Sequence, residues 1–332
     1  MKYRKLGSCD QQVSELGIQI WPFEDNAPRP FDQDTRVRLL EEAFDAGITL
    51  FDTADHQGEG LAEELLTKAL SHHRHDLVIS TKAGYDFYNP TFDTKINGPT
   101  QNFEPQFIKY ACEQSLRRLK TDYIDLYQLN NPMSGTSEED ELFDCLNSLV
   151  KEGKIRFFGA SFDHNTDFFA EAELQMVKQS LMSVQMVYNI FEQEPARQVL
   201  QIAQKESVAI LTSRPHSDGY LTQEFNHILQ NFPERLSTSN PDVVSLESVA
   251  SKLKSLEFLM RHHETTLDRL AIHFNLAQPS IASVLLNASN QHELDEATSA
   301  IEEDGICPDC LSQLYQLYDC EFTGEQRLNS QC

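Results

Sequence analysis

The sequence predicts a closed (β/α)₈ barrel. Eight short β-rich runs alternate with helical patterns from end to end, which argues for parallel β-α units. The runs are nearly continuously apolar, as strands are when both faces are covered. The count suits a closed barrel better than an open doubly wound sheet. The length of 332 residues accommodates such a barrel with insertions.

The elements follow in order. LGIQIW (16–21) is the first strand, and TRVRLLEEAFDA (35–46) is a helix with Asp34 as N-cap and Gly47 as stop. ITLFDTA (48–54) precedes a helix over 60–72, with Leu61, Leu65, Leu66, Ala69 and Leu70 at helical spacing. LVISTKA (77–83) leads to a helix opened by Pro105 and running to 119. IDLYQLN (124–130), helix 137–152, IRFFGAS (155–161), helix 166–178, SVQMVYN (183–189), helix 194–206 and VAILTSRP (208–215) continue the alternation. Helical patterns at 247–263 and 266–277 precede SIASVLL (280–286) and its helix, 291–303. The barrel thus spans 1–303, with 304–332 as a short C-terminal extension. The long segments 85–104 and 216–263 both follow strands, which places them on the C-terminal face, where barrel active sites form.

Composition narrows the function. Asp and Glu number 52 against 27 Lys and Arg, a formal net charge of −25. Such a surface repels phosphate backbones and anionic leaflets, so neither nucleic acid nor membrane is an expected partner. No run approaches the ~20 apolar residues of a membrane helix, and MKYRKLGSCDQQ lacks the apolar core of a signal peptide. The seven cysteines are an odd, scattered set that suits reduced thiols, and the expected location is the cytoplasm.

In a barrel the strand ends converge. They bring Asp52, Lys82, Asn130, Ser161, Gln185 and Asn189 to one mouth. A carboxylate and an ammonium there either tune a nearby acid or form an ion pair that only fixes the mouth; the pattern leaves both open.

At these residues the chain resembles the aldo-keto reductases. VSELG, DAGITLFDTAD, EELLTKAL, VISTKAGYDFYNP, QSLRRLKTDYIDLYQL, GKIRFFGAS and VQMVYN match in order and spacing, and the resemblance runs from about residue 1 to 303. It implies a (β/α)₈ barrel that reduces carbonyls with NADPH lying extended across the mouth, which suits a chain with no GxGxxG fingerprint or P-loop. The family's tetrad is Asp, Tyr, Lys and His. Asp52 and Lys82 match two members, Gln57 stands at the Tyr position, and Asn130 stands at the His position. In the family the Tyr hydroxyl protonates the carbonyl oxygen as hydride reaches the carbon. An amide donates a hydrogen bond but is no proton acid near neutrality. His56, next to the Tyr position, is a substitute candidate whose ring direction the sequence leaves open.

The resemblance also implies cofactor-binding positions: Ser161 and Gln185 at the nicotinamide amide, Pro215 and Gly219 in the segment after strand seven, and Ser289 after strand eight. Ser289 replaces an Arg that pairs the NADP 2′-phosphate, Asn287 replaces a Gly where the pyrophosphate passes, and Asp218 repels a pyrophosphate unless turned away. Arg214 lies one position from an Arg that some members place against the nicotinamide. The expected cofactor is NADP or NAD at a weakened site.

Other features carry less. Cys307-Pro308-Asp309-Cys310 is a CxxC that Pro308 places at the start of a helix through LSQLYQLY. With Cys320 and Cys332 it supplies enough thiols for zinc, at a spacing that matches no established pattern. The alternative is a tail that packs Leu311, Leu314 and Leu317 on the barrel. His72, His73 and His75 follow a helix and suit its dipole. His262-His263-Glu264 is half a zinc motif without its second His. Cys112 and Cys145 read as buried small hydrophobes, and Glu138–Glu141 as dipole complementation in a first helical turn.

Three functions follow. The first is an aldo-keto reductase-like protein with impaired or lost carbonyl reductase activity that binds a ligand or an unknown protein partner. The second is an active but atypical NAD(P)H-dependent oxidoreductase on a small carbonyl substrate, assisted by Lys82, Asn130 and His56. A third uses the barrel to support a thiol or metal site in the tail.

Overall fold

The structure is a computed structural model that describes residues 1–20, 32–88, 100–163, 168–179, 181–231, 246–263 and 265–322. Parts of both long mouth segments, 89–99 and 232–245, together with His262, His263, Glu264 and Cys332, lie outside the described residues or side chains.

The chain opens with a hairpin that sequence patterning does not reveal, β1 (Tyr3–Lys5) against β2 (Gln12–Ser14). Eight parallel strands then close a barrel: β3 (Leu16–Gln19), β4 (Leu50–Asp52), β5 (Val78–Ala83), β8 (Ile124–Asn130), β9 (Ile155–Ser161), β10 (Ser183–Val187), β11 (Ala209–Ser213) and β12 (Ile281–Leu286). These are the eight expected runs, β8 and β9 over the expected residues and the other six trimmed at their ends. The first and last strands meet at a seam where Leu285 pairs Gly17. A Cβ at Gly17 would lie 2.7 Å from a Leu285 methyl, so the seam closes only on a residue without a side chain.

The helices are α1 (Gln33–Asp45), α2 (Leu61–Leu70), α3 (Pro105–Leu119), α4 (Asp140–Lys151), α5 (Phe168–Lys178), α6 (Ala196–Glu206), α7 (Gln223–Asn231), α8 (Leu246–His263), α9 (Leu267–Leu276), α10 (Gln291–Glu302) and α11 (Pro308–Asp319). Three local expectations are corrected. Asp32, not Asp34, caps α1, its carboxylate accepting from the Asp34 N–H, because the helix begins earlier. Glu138 falls in a 3₁₀ turn, and α4 starts at Asp140. Cys112 is buried as expected, but Cys145 is half-buried and its thiol donates to the Pro105 carbonyl.

The barrel's lower end is filled by Leu6, Val13, Leu50, Val78, Leu126, Leu211 and Leu285, so the hairpin plugs it. Arg4 locks that plug. Its guanidinium donates to the carbonyls of Leu276, Gln278 and Ile281 at 2.8, 3.1 and 2.8 Å and to the Glu15 carboxylate at 2.7 Å. The polar residues are left to the other end. A short β6 (Tyr85–Asp86) pairs β7 (Thr100–Gln101) there. Among the described residues no helix is long and apolar enough to cross a membrane.

Candidate active site

The two-residue period of a strand places Ser80 and Lys82 on one face of β5, and Gln128 and Asn130 on one face of β8. Both faces look into the barrel mouth around the Asp52 carboxylate. Lys82 Nζ lies 2.6 Å from Asp52 Oδ1, 2.5 Å from Oδ2 and 2.9 Å from the Thr53 carbonyl. The carboxylate and the Thr53 carbonyl together hold the Lys82 ammonium in place. Ser80 Oγ donates to Asp52 Oδ1 at 2.7 Å, and Gln185 Nε2 and Gln19 Nε2 donate to Oδ2 at 3.2 and 3.4 Å. Gln128 Nε2 links the ring by donating to Ser80 Oγ at 2.9 Å and Gln185 Oε1 at 2.8 Å. Burial pulls the Lys82 ammonium below its usual pKa, and the Asp52 carboxylate opposes that.

His56 reaches the same mouth. Its Nδ1 lies 3.3 Å from Asn130 Nδ2, and its ring centre is 5.0 Å from that of Tyr85. An amide nitrogen only donates, so Nδ1 accepts and this geometry assigns the ring proton to Nε2. The side chain is 24 % exposed. Burial, and then the positive charge of Lys82, lower its pKa from 6.5 to about 4. Gln57 is 7 % exposed, and its Oε1 is buried without a hydrogen-bond partner among the described residues.

A second polar group lies behind β5. Glu63, fully buried on α2, accepts from Arg118 Nε at 2.5 Å and from the outward-facing Thr81 hydroxyl at 2.6 Å. Arg118 also donates to the Tyr88 phenol at 3.0 Å, and that phenol donates to Asp55 Oδ2 at 3.4 Å. Gly60, at φ +97°, lets the Arg118 side chain pass where a Cβ would collide with it. Burial and then the Glu63 charge hold the Asp55 carboxyl well above the usual carboxylate range, with Arg118 opposing. Asp55 Oδ1 is 4.0 Å from His56 Nδ1. Burial disfavours the charged form of both groups.

The structure therefore brings Asp52, Lys82, Gln185, Asn130 and His56 together. Gln128, Ser80 and Gln19 were not singled out by sequence reasoning, although polar residues two apart in otherwise apolar strands mark the first two. The Glu63–Arg118–Tyr88–Asp55 group had no such signal, because its members come from separate helices and loops. Of the remaining positions, Ser161 is 8 % exposed at the end of β9, and Pro215 and Gly219 lie in the turn after β11, Gly219 at φ +93°. Asp218 is turned onto Arg214, 3.1 Å away, and Arg214 also faces Asp163 at 3.5 Å. Ser289 donates its N–H and its hydroxyl to Glu293, at 2.8 and 2.9 Å.

A sequence model described as the aldo/keto reductase family matches residues 15–317. The chain belongs to the aldo/keto reductase family. It is 30 % identical over 303 residues to the uncharacterized oxidoreductase YqkF of Bacillus subtilis, covering 90 % of this chain and 91 % of that one. It is 26 % identical over 310 residues to L-galactose dehydrogenase of Arabidopsis thaliana, covering 91 % and 89 %. The holo form of aldo-keto reductase AKR11C1 from Bacillus halodurans superposes with a TM-score of 0.77 at 26 % identity, covering 96 % of each chain.

The aldo/keto reductase fold implies a nicotinamide nucleotide, and the residues present can be tested against one. At the Ser289 corner the donors that would meet a 2′-phosphate end on the Glu293 carboxylate, which also accepts from Asn290 Nδ2 at 2.8 Å. The adjoining cleft of about 490 Å³ is lined by Glu224, Asp268, Glu293 and Glu296, with His292 and no Lys or Arg among its lining residues. The Glu293 carboxylate presents like charge to a phosphate at this corner, while Arg36 donates to the neighbouring Ala288 carbonyl at 2.7 Å and Arg269 pairs Glu296 at 3.1 Å. At the other end both polar atoms of Gln185 are engaged within the barrel, one on Asp52 and one by Gln128.

Proposed function

We propose that this aldo/keto reductase-family barrel is impaired in NAD(P)H-dependent carbonyl reduction and uses its mouth to hold a small carbonyl ligand. The observation that carries this reading is the buried amide at position 57: Gln57 is 7 % exposed, and its Oε1 has no hydrogen-bond partner among the described residues. The resemblance assigns a tyrosine to position 57, with Lys82 lowering its pKa. Gln57 offers an amide, which is no proton acid near neutrality.

The neighbouring groups supply polarisation rather than protons. His56 is neutral down to about pH 4. Its Nε2–H is a hydrogen-bond donor at pH 7, not an imidazolium acid. Burial pushes the Asp55 carboxyl upward, but one oxygen faces Tyr88 and the other is 4.0 Å from the accepting nitrogen of His56. A carbonyl oxygen in the mouth would thus be hydrogen-bonded without being protonated. Loss of a general acid removes roughly 10²–10⁴-fold in rate.

The second reading, an active but atypical oxidoreductase, is favoured by one contact: His56 against Asn130, where its N–H can polarise a substrate carbonyl. Turnover of a broad aldehyde panel with NADPH or NADH, alongside calorimetric titration of each nucleotide into protein with a cooperative melt, separates the two. Ligand binding with turnover at background supports impairment. Robust turnover that disappears in Lys82→Met overturns it.

A further inference from the structure

The start of α11 carries two thiols that the mouth does not use. Cys307 is the N-cap, in extended backbone, and its Sγ accepts from the Cys310 N–H at 3.3 Å. The two Sγ atoms are 2.8 Å apart. A disulfide holds sulfurs at about 2.05 Å, so bond formation needs under about 1 Å of movement. Their accessibilities differ: Cys307 is half-buried and reaches solvent, whereas Cys310 is buried.

The helix beneath them is firmly seated. Leu314 is fully buried, the Tyr315 hydroxyl accepts from Gln278 Nε2, and Asp319 pairs with Arg197 at 2.6 Å. Contacts along the rest of α11 thus hold the pair in register together with the Cys307 cap. Among the described residues no group of three or more His, Cys, Asp and Glu converges as a metal site, so the zinc option has no ligand set there.

We propose that Cys307 and Cys310 are a redox dithiol that exchanges with low-molecular-weight disulfides. The Cys307 thiolate attacks a disulfide RSSR, forming a mixed disulfide and releasing one RS⁻. The Cys310 thiolate then attacks Cys307 Sγ and releases the second RS⁻. The protein dithiol is oxidised by two electrons, the small disulfide is reduced to two thiols, and the two protein protons pass to the released thiolates. The solvent-reaching sulfur is the attacking one and the buried sulfur resolves it.

The test uses the reduced full-length chain, oxidised glutathione, acid quenching, alkylation and peptide mass spectrometry. The expected product is lighter by two hydrogens, carries a Cys307–Cys310 crosslink and reverts with a dithiol reductant. Cys310→Ser should stop at a mixed disulfide on Cys307. Cys307→Ser should leave Cys310 at least about tenfold slower to react, because access limits a buried thiol. Serine keeps an N-cap acceptor at 307, so a cooperative melt is expected for both variants. Stable mixed disulfide in the unmutated chain, pairing of Cys307 with Cys320, or stoichiometric zinc in the reduced protein each overturns the proposal.

Discussion

Asn130 Nδ2 lies 3.3 Å from His56 Nδ1, so an imidazole from the loop after β4 rests against the side chain that closes β8. The residue beside the position that the resemblance assigns to the tetrad Tyr thereby touches the residue at the position it assigns to the His.

That contact has a pH signature. The folded pKa of His56, about 4, is below its ordinary 6.5, so between these values the unfolded chain binds more protons. Its contribution is complete above about pH 6.5 and lost as pH falls toward 4. At pH 4.5 the loss amounts to about 2 kcal/mol. Chemical denaturation of the wild type and His56→Gln at pH 7.5 and 4.5 should show a shallower decline in the variant. Parallel declines would remove His56 as the titrating group.

Arg118 is the sole cation bonded to the fully buried Glu63 among the described residues. Arg118→Met should destabilise the fold by about 3–5 kcal/mol, because it strands a buried carboxylate. Adding Glu63→Gln should recover part of that loss. Urea unfolding of the two single variants and the double variant gives the coupling; additive losses would mean that the pair is not coupled.

Gln57→Tyr with Asn130→His restores the two acid–base side chains that the resemblance assigns to those positions. If proton delivery limits reduction, the double variant should gain about 10²-fold or more in aldehyde turnover. Steady-state kinetics reads this directly. No gain, with unchanged nucleotide binding, would place the block outside these two residues.

Glu293 fills the corner beside Ser289 and caps α10 through Ser289 and Asn290. Glu293→Ala should cost about 1 kcal/mol of stability. It should also raise NADPH affinity relative to NADH by about fivefold, since one like charge near a phosphate is worth about 1 kcal/mol in water. An unchanged ratio in calorimetry would show that this carboxylate does not face the phosphate.

Much of the fold is legible because strand residues carry their own signal. IDLYQLN and IRFFGAS form strands over the expected residues, 124–130 and 155–161, and Pro105 opens α3 as expected. The β1–β2 hairpin is not legible, since strands of three residues show no periodicity. In the site, Asp52 and Lys82 stand at strand ends and so declare themselves. Lys82 also contacts the Thr53 backbone carbonyl, which every residue has and no sequence marks. Likewise the reach of His56 depends on a ring direction, and that of Glu293 on a helix start, that spacing alone leaves undetermined.

The lock on the barrel's plug joins Arg4 to carbonyls at 276–281, and the seam joins Gly17 to Leu285. During vectorial synthesis Arg4 waits for partners 272 to 277 residues further along the chain. Until β12 emerges, β3 and β11 are bare edges and the hairpin has no floor to seal. A chain translated only as far as residue 276 therefore holds an open sheet in place of a closed barrel.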